Sequence, residues 1–442
     1  MQKCLALALA LVHGARAVAL SQDVSRLYPR EKLEADAARS GGQIRAEYRE
    51  TILPQLTDNE KTALSAVKID FPVSSPHGDP FEFYTDGSTI YLPALSLRFY
   101  ADLCVANAWL NAHGFDGTTV RDYVGMLFRE AKLSPRAPLP PVFRTLGVPD
   151  SARDEAAVKN RADRDFGNTI VFLLAHELGH VLKKHQTGLS DPIHKRAQEI
   201  EADEFAIEIM RRIAQVPLGL EFWFDVERIR RVAPNKFPTE AEWQKYLGSL
   251  DHPVTTERLE ALASIIEKDP DSFARNQTNQ ALWTQRSKML ARYFRLAAPF
   301  ASNPIARMAE YSRVHDLRLA DLKPRKTAFT IPSTSEKEPE FNGLFAVRRT
   351  TANGGQDTVD LLLLRTGDEV LGGYSNGKID GFIQGSIVDG ALHFTWREGS
   401  SSGRGMAQSQ GEAVRGSWGP GEAEQGGGEF SGVRQKKGKS AP

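Results

Sequence analysis

The run from Ile170 to Leu182, I-V-F-L-L-A-H-E-L-G-H-V-L, sets two histidines and a glutamate into an aliphatic stretch. Residues four apart on a helix share a face, so His176 and His180 can direct two imidazoles at one metal ion. Glu177 lies one step round the helix, where it can take a proton from a metal-activated water and later hand it to a leaving amine. This is the H-E-x-x-H zinc signature in the helical, apolar setting that its chemistry requires. The alternative is an amphipathic helix that carries these residues by chance. Aliphatic flanks on nearly all sides argue against it, because a buried ionisable cluster must find partners.

The chain has 442 residues, room for two or three domains. Its formal net charge is zero, which gives no reason to expect nucleic acid or an anionic membrane surface as partner. At the N-terminus one lysine precedes an apolar run, and Ala17-Val18-Ala19 offers a small-x-small site. This is the layout of a secretory signal peptide cleaved after Ala19; a buried N-terminal helix is the alternative. Beyond it no run nears the roughly 18–20 apolar residues needed to span a bilayer. Cleavage would remove Cys4 and leave Cys104 alone, so no internal disulfide is expected and Cys104 reads as a buried core thiol. Export without disulfides points to a bacterial periplasm or to secretion.

From Ser21 to about Glu60 the pattern is polar and helical, broken at Tyr28-Pro29 and Leu53-Pro54. Two short strands, Phe81–Tyr84 and Thr89–Leu92, flank the turn signal Asp86-Gly87, and a helix follows from about Ser96 to Ala112. An exposed strand edge near a metal could hold an extended peptide by main-chain pairing; a plain structural hairpin explains the pattern as well. Asn111–Asp165, with its Pro-rich tract Leu133–Pro141, reads as a long irregular connector, either a surface insertion or a lid.

The metal helix is expected over Asp165–Gln186, with Gly188 as terminator, and a second helix starts at Asp191-Pro192. That helix carries Q-E-I-E-A-D-E. Catalytic zinc usually takes three protein ligands and keeps a position for water, so Glu199 is the expected third ligand. Asp203, one turn on, can orient a liganding histidine through its free ring nitrogen. Glu201 is expected to point elsewhere and Glu204 to be solvated; without the two histidines the whole face would read as an exposed charged one. Further helical patterns cover Leu218–Arg231, Glu240–Leu250, Val254–Lys268 and Asn279–Ala298. Asp251-His252-Pro253 reads as a helix start, with His252 either a plain surface residue or a functional one.

H-E-L-G-H, E-I-E-A-D and D-H-P-V-T-T-E-R in that order resemble the HtpX, BepA and CAAX-prenyl-protease family of gluzincin metallopeptidases. The resemblance covers about Phe71 to Lys268. It implies His176, His180 and Glu199 as ligands of one Zn2+ per chain and Glu177 as general base. It further implies Asp203 behind the ligands, with His252 and Arg258 near the active site. There the histidine would stabilise the oxyanion or occupy the open zinc position as a gate. The chain departs from the family's pattern in lacking the membrane helices of some members, in having no helical repeat array after the catalytic part, and in the long Asn111–Asp165 segment.

After a linker at Lys323–Glu340 the pattern changes to period two. Asn342–Arg349, Thr358–Arg365, Glu369–Tyr374, Lys378–Val388, Leu392–Arg397, Ala413–Trp418 and Gly428–Val433 read as strands of a small antiparallel meander, barrel or sandwich. No cluster of ligands or nucleophiles marks this part, which is either a docking module or a passive domain.

The expected fold is a multidomain α+β chain: a mainly helical, zincin-like domain with a short β-hairpin, then a small all-β domain. Its parts are a signal peptide at 1–19, a helical arm at 20–60, a zinc metallopeptidase domain at 61–300, a linker at 301–340, the antiparallel β domain at 341–435 and a tail at 436–442. The expected activity is a zinc-dependent endopeptidase acting on protein or peptide substrates of the envelope or outside the cell. The partners exclude nucleic acid, and there is no integral membrane segment beyond the signal peptide. The rivals are a catalytically silent or latent peptidase fold whose β domain docks a partner, and a zinc hydrolase acting on bonds other than peptides.

Overall fold

The computed structural model describes residues 27–75, 82–133, 139–186, 191–229, 242–243, 245–246, Leu250, 252–275, 277–302, 318–324, 340–366, 369–376, 380–398 and 401–435. The expected signal peptide, most of the linker, Gly188 and the 436–442 tail lie outside them. The chain divides into two compact units. One comprises residues 1–231, 244–298 and 317–325; the other 232–243, 299–316 and 326–442. Among the described residues no helix is long and apolar enough to cross a membrane.

The first unit opens with helix α1 (Arg30–Glu47), which starts at the Pro29 break and runs on through a π turn and a 3-10 turn at Leu53-Pro54. Helix α2 (Asp58–Leu64) is held by a capping box between Thr57 and Glu60. Strand β1 (Lys68–Asp70) pairs in parallel with β3 (Thr89–Tyr91), and β3 pairs antiparallel with β2 (Tyr84–Thr85). Gly87, at φ +89°, makes the turn, and Asp86 accepts from the amides of Ser88 and Thr89. Phe81 of the expected strand lies outside the described residues, and the sequence reading missed β1.

Helix α3 (Ala94–Ala112) is buried on nearly every side, Cys104 included. Burial raises the Cys104 thiol pKa well above its usual value, as an inert core thiol requires. The Asn111–Asp165 segment is not an irregular connector. It holds α4 (Thr118–Leu133), α5 (Val142–Leu146) and a 3-10 turn at Asp150–Asp154. Val120, Tyr123, Val124 and Leu127 are fully buried at helical spacing, a period that the Pro-rich tract beside it had masked.

Helix α6 (Ala156–Lys183) begins nine residues before Asp165 and ends three before Gln186, at Lys184, which takes the left-handed conformation. Helix α7 (Pro192–Arg212) is capped by Asp191 as expected. Helices α8 (Leu220–Ile229), α9 (Thr256–Lys268) and α10 (Gln280–Ser302) follow. Helix α6 packs chiefly on α7 and α3.

In the second unit, eight strands close into an antiparallel barrel in which chain neighbours pair and the last strand returns to the first. They are β4 (Gly343–Thr351), β5 (Gln356–Thr366), β6 (Glu369–Ser375), β7 (Asp380–Val388), β8 (Ala391–Glu398), β9 (Ser401–Gln410), β10 (Ala413–Pro420) and β11 (Gly428–Arg434). The sequence reading missed β9, whose S-S-G-R-G-M-A-Q-S-Q has little strand propensity. Its Gly403, Gly405 and Ala407 are buried all the same. A Cβ at Gly405 would come 2.3 Å from the Phe394 ring, and one at Gly381 2.1 Å from that of Tyr374. Glycine there makes room for an aromatic ring from the neighbouring strand.

Gly405→Ala is expected to destabilise the barrel by about 1–3 kcal/mol through overpacking. Gly42→Ala, on an exposed face of α1 with nothing within 4 Å, should stabilise by about 0.5–1 kcal/mol. Thermal unfolding of both variants checks the pair; equal midpoints would contradict the ring-on-glycine packing.

Candidate metal centre

Helices α6 and α7 meet at small residues. A Cβ at Gly179 would stand 3.1 Å from the Ala202 Cα, so the glycine lets the two backbones approach closely. The approach brings Glu199 and Asp203, one turn apart on α7, against His176 and His180, one turn apart on α6. His176, Glu177, Glu199 and Asp203 are all buried.

The nitrogens His176 Nε2 and His180 Nε2 lie 3.0 Å apart. Glu199 Oε1 is 3.4 Å from His180 Nε2, and Glu199 Oε2 is 3.6 Å from His176 Nε2. His252, in the segment leading into α9, places Nδ1 3.1 Å from Glu199 Oε1 and Nε2 3.8 Å from Glu177 Oε1. One ligand atom each from His176, His180, Glu199 and His252 falls within 4.8 Å of all the others. The sequence had left His252 between surface and site; it lies at the site, with its side chain 26% exposed.

The other ring nitrogens of His176 and His180 are both engaged. Asp203 Oδ1 is 2.8 Å from His176 Nδ1. A carboxylate there accepts the Nδ1 proton and leaves the Nε2 lone pair facing the cluster. Behind His180 stands a pair that the sequence reading did not find. His185 Nδ1 lies 2.9 Å from His180 Nδ1, and His185 Nε2 lies 3.2 Å from Glu201 Oε2. One tautomer set satisfies both contacts. Glu201 accepts from His185 Nε2, His185 Nδ1 accepts from His180 Nδ1, and the His180 Nε2 lone pair again faces inward. Glu201, expected to point elsewhere, thus reaches the cluster through His185. The left-handed Lys184 folds His185 back onto the helix end, where its amide donates to the His180 carbonyl. A non-glycine residue in that conformation leaves no mark in the sequence.

Arg258, in the first turn of α9, donates from Nε and NH2 to the two oxygens of Asp203 at 2.6 and 2.8 Å, and from NH1 to Glu199 Oε2 at 2.8 Å. Burial disfavours charge on both acids, yet for Glu199 the neighbouring His252 and Arg258, and for Asp203 chiefly Arg258, hold the carboxyl below its ordinary pKa. Burial alone would lower the His176 pKa, but Asp203 and Glu199 push it up to about 9. His252 is raised against burial in the same way by Glu199 and Glu177, whereas burial prevails at His180 and lowers it.

The residues present fit a metal ion on three counts. Ligand atoms about 2.0–2.1 Å from a tetrahedral ion lie roughly 3.3–3.4 Å apart, close to the edges among His176, His180 and Glu199. Two inward lone pairs 3.0 Å apart repel unless a cation or proton lies between them. With neutral imidazoles, Glu177, Glu199 and Asp203 face the single guanidinium of Arg258, an excess of negative charge that a divalent cation cancels. Glu177 Oε2 is moreover buried with no hydrogen-bond partner among the described residues, a free acceptor beside the cluster.

Residues 122–278 match the model of the Peptidase U49 family. No curated protein matches the chain significantly. The Peptidase U49 match covers a little over a third of the chain and contains every residue of the cluster, from His176 to Arg258. It begins inside α4, so most of the Asn111–Asp165 segment belongs to the matched region.

Removing the guanidinium should leave two buried carboxylates without their cation. Arg258→Met is expected to destabilise the metal-free chain by about 3–5 kcal/mol in urea unfolding, with part of the loss recovered on adding zinc. Unchanged stability would mean that Arg258 does not carry the counter-charge.

Proposed function

We propose that the chain is a zinc-dependent endopeptidase. The observation that carries the reading is the convergence of His176 Nε2, His180 Nε2 and the Glu199 carboxylate on one point, with an unpartnered Glu177 oxygen beside it. The Peptidase U49 match supports peptide bonds as the substrate class. The resemblance to gluzincin metallopeptidases adds the third ligand and the His-Pro…Arg element, and all of those residues meet at this site. His176, His180 and Glu199 would hold the ion, which supplies Lewis-acid polarisation of a scissile carbonyl and of the attacking water.

The chain's own residues divide the remaining work. Glu177, through its free Oε2, accepts the proton of the water and returns it to the leaving amine. Asp203 holds His176 and the His185–Glu201 pair holds His180, each in the tautomer that presents Nε2. Arg258 keeps Glu199 and Asp203 ionised. His252, charged more readily than an ordinary histidine, donates Nδ1–H to Glu199 and has Nε2–H left for an oxyanion.

A second reading is favoured by the inclusion of His252 among the possible ligands. If its ring takes the fourth position, the site is closed to water and the protein is latent until the segment before α9 moves.

Purified protein should carry about one zinc per chain and degrade unfolded casein. Glu177→Gln should retain the zinc and lose hydrolysis by about a hundredfold or more; an active variant would sink the mechanism. Zinc without turnover that appears on His252→Ala would instead establish the latent reading. His185→Ala should lower zinc affinity by about 10–100-fold, and an unchanged affinity would remove His185 from the site.

A further inference from the structure

The barrel is built with a floor and a mouth. Toward one end Phe341 and Phe345 are fully buried, and Arg434 lies over the Phe345 ring. Toward the other, where β4 ends and β8 ends, the inward positions leave a cavity of about 140 Å³. Its walls include five aromatic residues, Tyr374, Phe394, Trp396, Trp418 and Phe430. Inward glycines, Gly403 and Gly405 on β9 and Gly416 on β10, let the Trp396, Phe394 and Phe430 rings lie close against the neighbouring strands, and these rings wall the cavity. Eight strands enclose an interior that is either filled by side chains or holds one small ligand. At this end side chains wall the space without filling it.

Two charged groups line the cavity, Arg349 and Glu398. Arg349 is fully used: Nε and NH2 bind the two oxygens of Asp357 at 2.9 and 2.5 Å, NH1 binds Glu398 at 2.9 Å, and its guanidinium lies 4.8 Å from the Tyr374 ring centre. An incoming anion would have to displace a carboxylate from it. An incoming cation meets the Glu398 carboxylate, in a cluster where Glu398 and Asp357 outnumber the guanidinium of Arg349 by one charge, and aromatic faces that attract positive charge. The volume is close to the roughly 150 Å³ of an apolar protein cavity that holds benzene, so the apolar part of a ligand is limited to about one ring.

We propose that the barrel mouth binds a small hydrophobic ammonium ion, with one aryl or branched alkyl group inside the barrel and the ammonium at Glu398. A free amine and the N-terminus of a peptide beginning with a bulky apolar residue share this chemistry. The inference stands apart from the metal centre.

The test is calorimetric titration of the full chain with phenethylamine, phenylacetate, and a short peptide with an unblocked N-terminal phenylalanine. Phenethylamine or the peptide should bind at one site per chain, the tighter of the two identifying the source, and phenylacetate at least about tenfold more weakly. Glu398→Gln should weaken the amine about tenfold. Leu361→Trp, which fills the cavity, should abolish binding; if that variant does not fold, the Glu398→Gln result decides alone. Phenylacetate binding as tightly as the amine, no binding of either amine probe, or an unchanged affinity in Glu398→Gln would overturn the proposal.

Discussion

The close approach of α6 to α7 at Gly179 and Ala202 is the constraint on which the candidate metal centre depends. Two helices that cross at bulkier side chains lie farther apart, and a carboxylate on one would then miss an imidazole on the other. Here Ala202 offers only a methyl group between Glu199 and Asp203, and Gly179 offers nothing between His176 and His180. The side chains of His176, His180, Glu199 and Asp203 therefore flank a contact with no bulk of its own. The glycine of H-E-L-G-H and the alanine of E-I-E-A-D have a definite steric role: they let the cluster assemble.

Proximity brings an electrostatic cost that the rest of the unit offsets. Buried carboxylates lose hydration and need counter-charge or donors. Arg258 supplies one positive charge and three donated hydrogen bonds to two acids at once. The negative charge that is left faces the imidazoles, and beside it His176 and His252 rise in pKa against burial. The same logic, on a smaller scale, organises the barrel mouth around Arg349. In both units an arginine is shared between two acids and leaves an excess of negative charge, once beside converging imidazoles and once beside aromatic rings.

Much of this was legible in the sequence because it follows from period and spacing. His176, Glu177 and His180 declare themselves by helical spacing in an apolar run, and the strands from β4 to β8 by alternation. What escaped was hidden by composition. Helix α4 stands beside a Pro-rich tract that dominates the segment, and β9 is rich in serine, glycine and glutamine, with Gly403 and Gly405 buried by the rings packed against them and not by hydrophobicity of their own. His185 escaped for a different reason. It lies beyond the helix end and returns through a left-handed lysine, so no linear period connects it with His180. Periodicity reports which face a residue occupies; it does not report where the chain folds back.

The D-H-P-V-T-T-E-R stretch shows how a short capping element can serve a site at two depths. Thr255 caps α9 by accepting the Arg258 amide, and Arg258 NH1 donates in turn to the Pro253 carbonyl. The start of the helix is thereby tied to its own approach, with Pro253 and Val254 buried between. Arg258 reaches inward to the acids, while His252, six residues earlier, meets Glu199 from the more exposed side. A histidine on an untethered loop would be solvated and free to turn. This one is set by the same turn that holds the arginine, so movement of the helix start would alter the cover of the cluster and its counter-charge together. The sequence separates the two residues, and the cap makes them one mechanical unit.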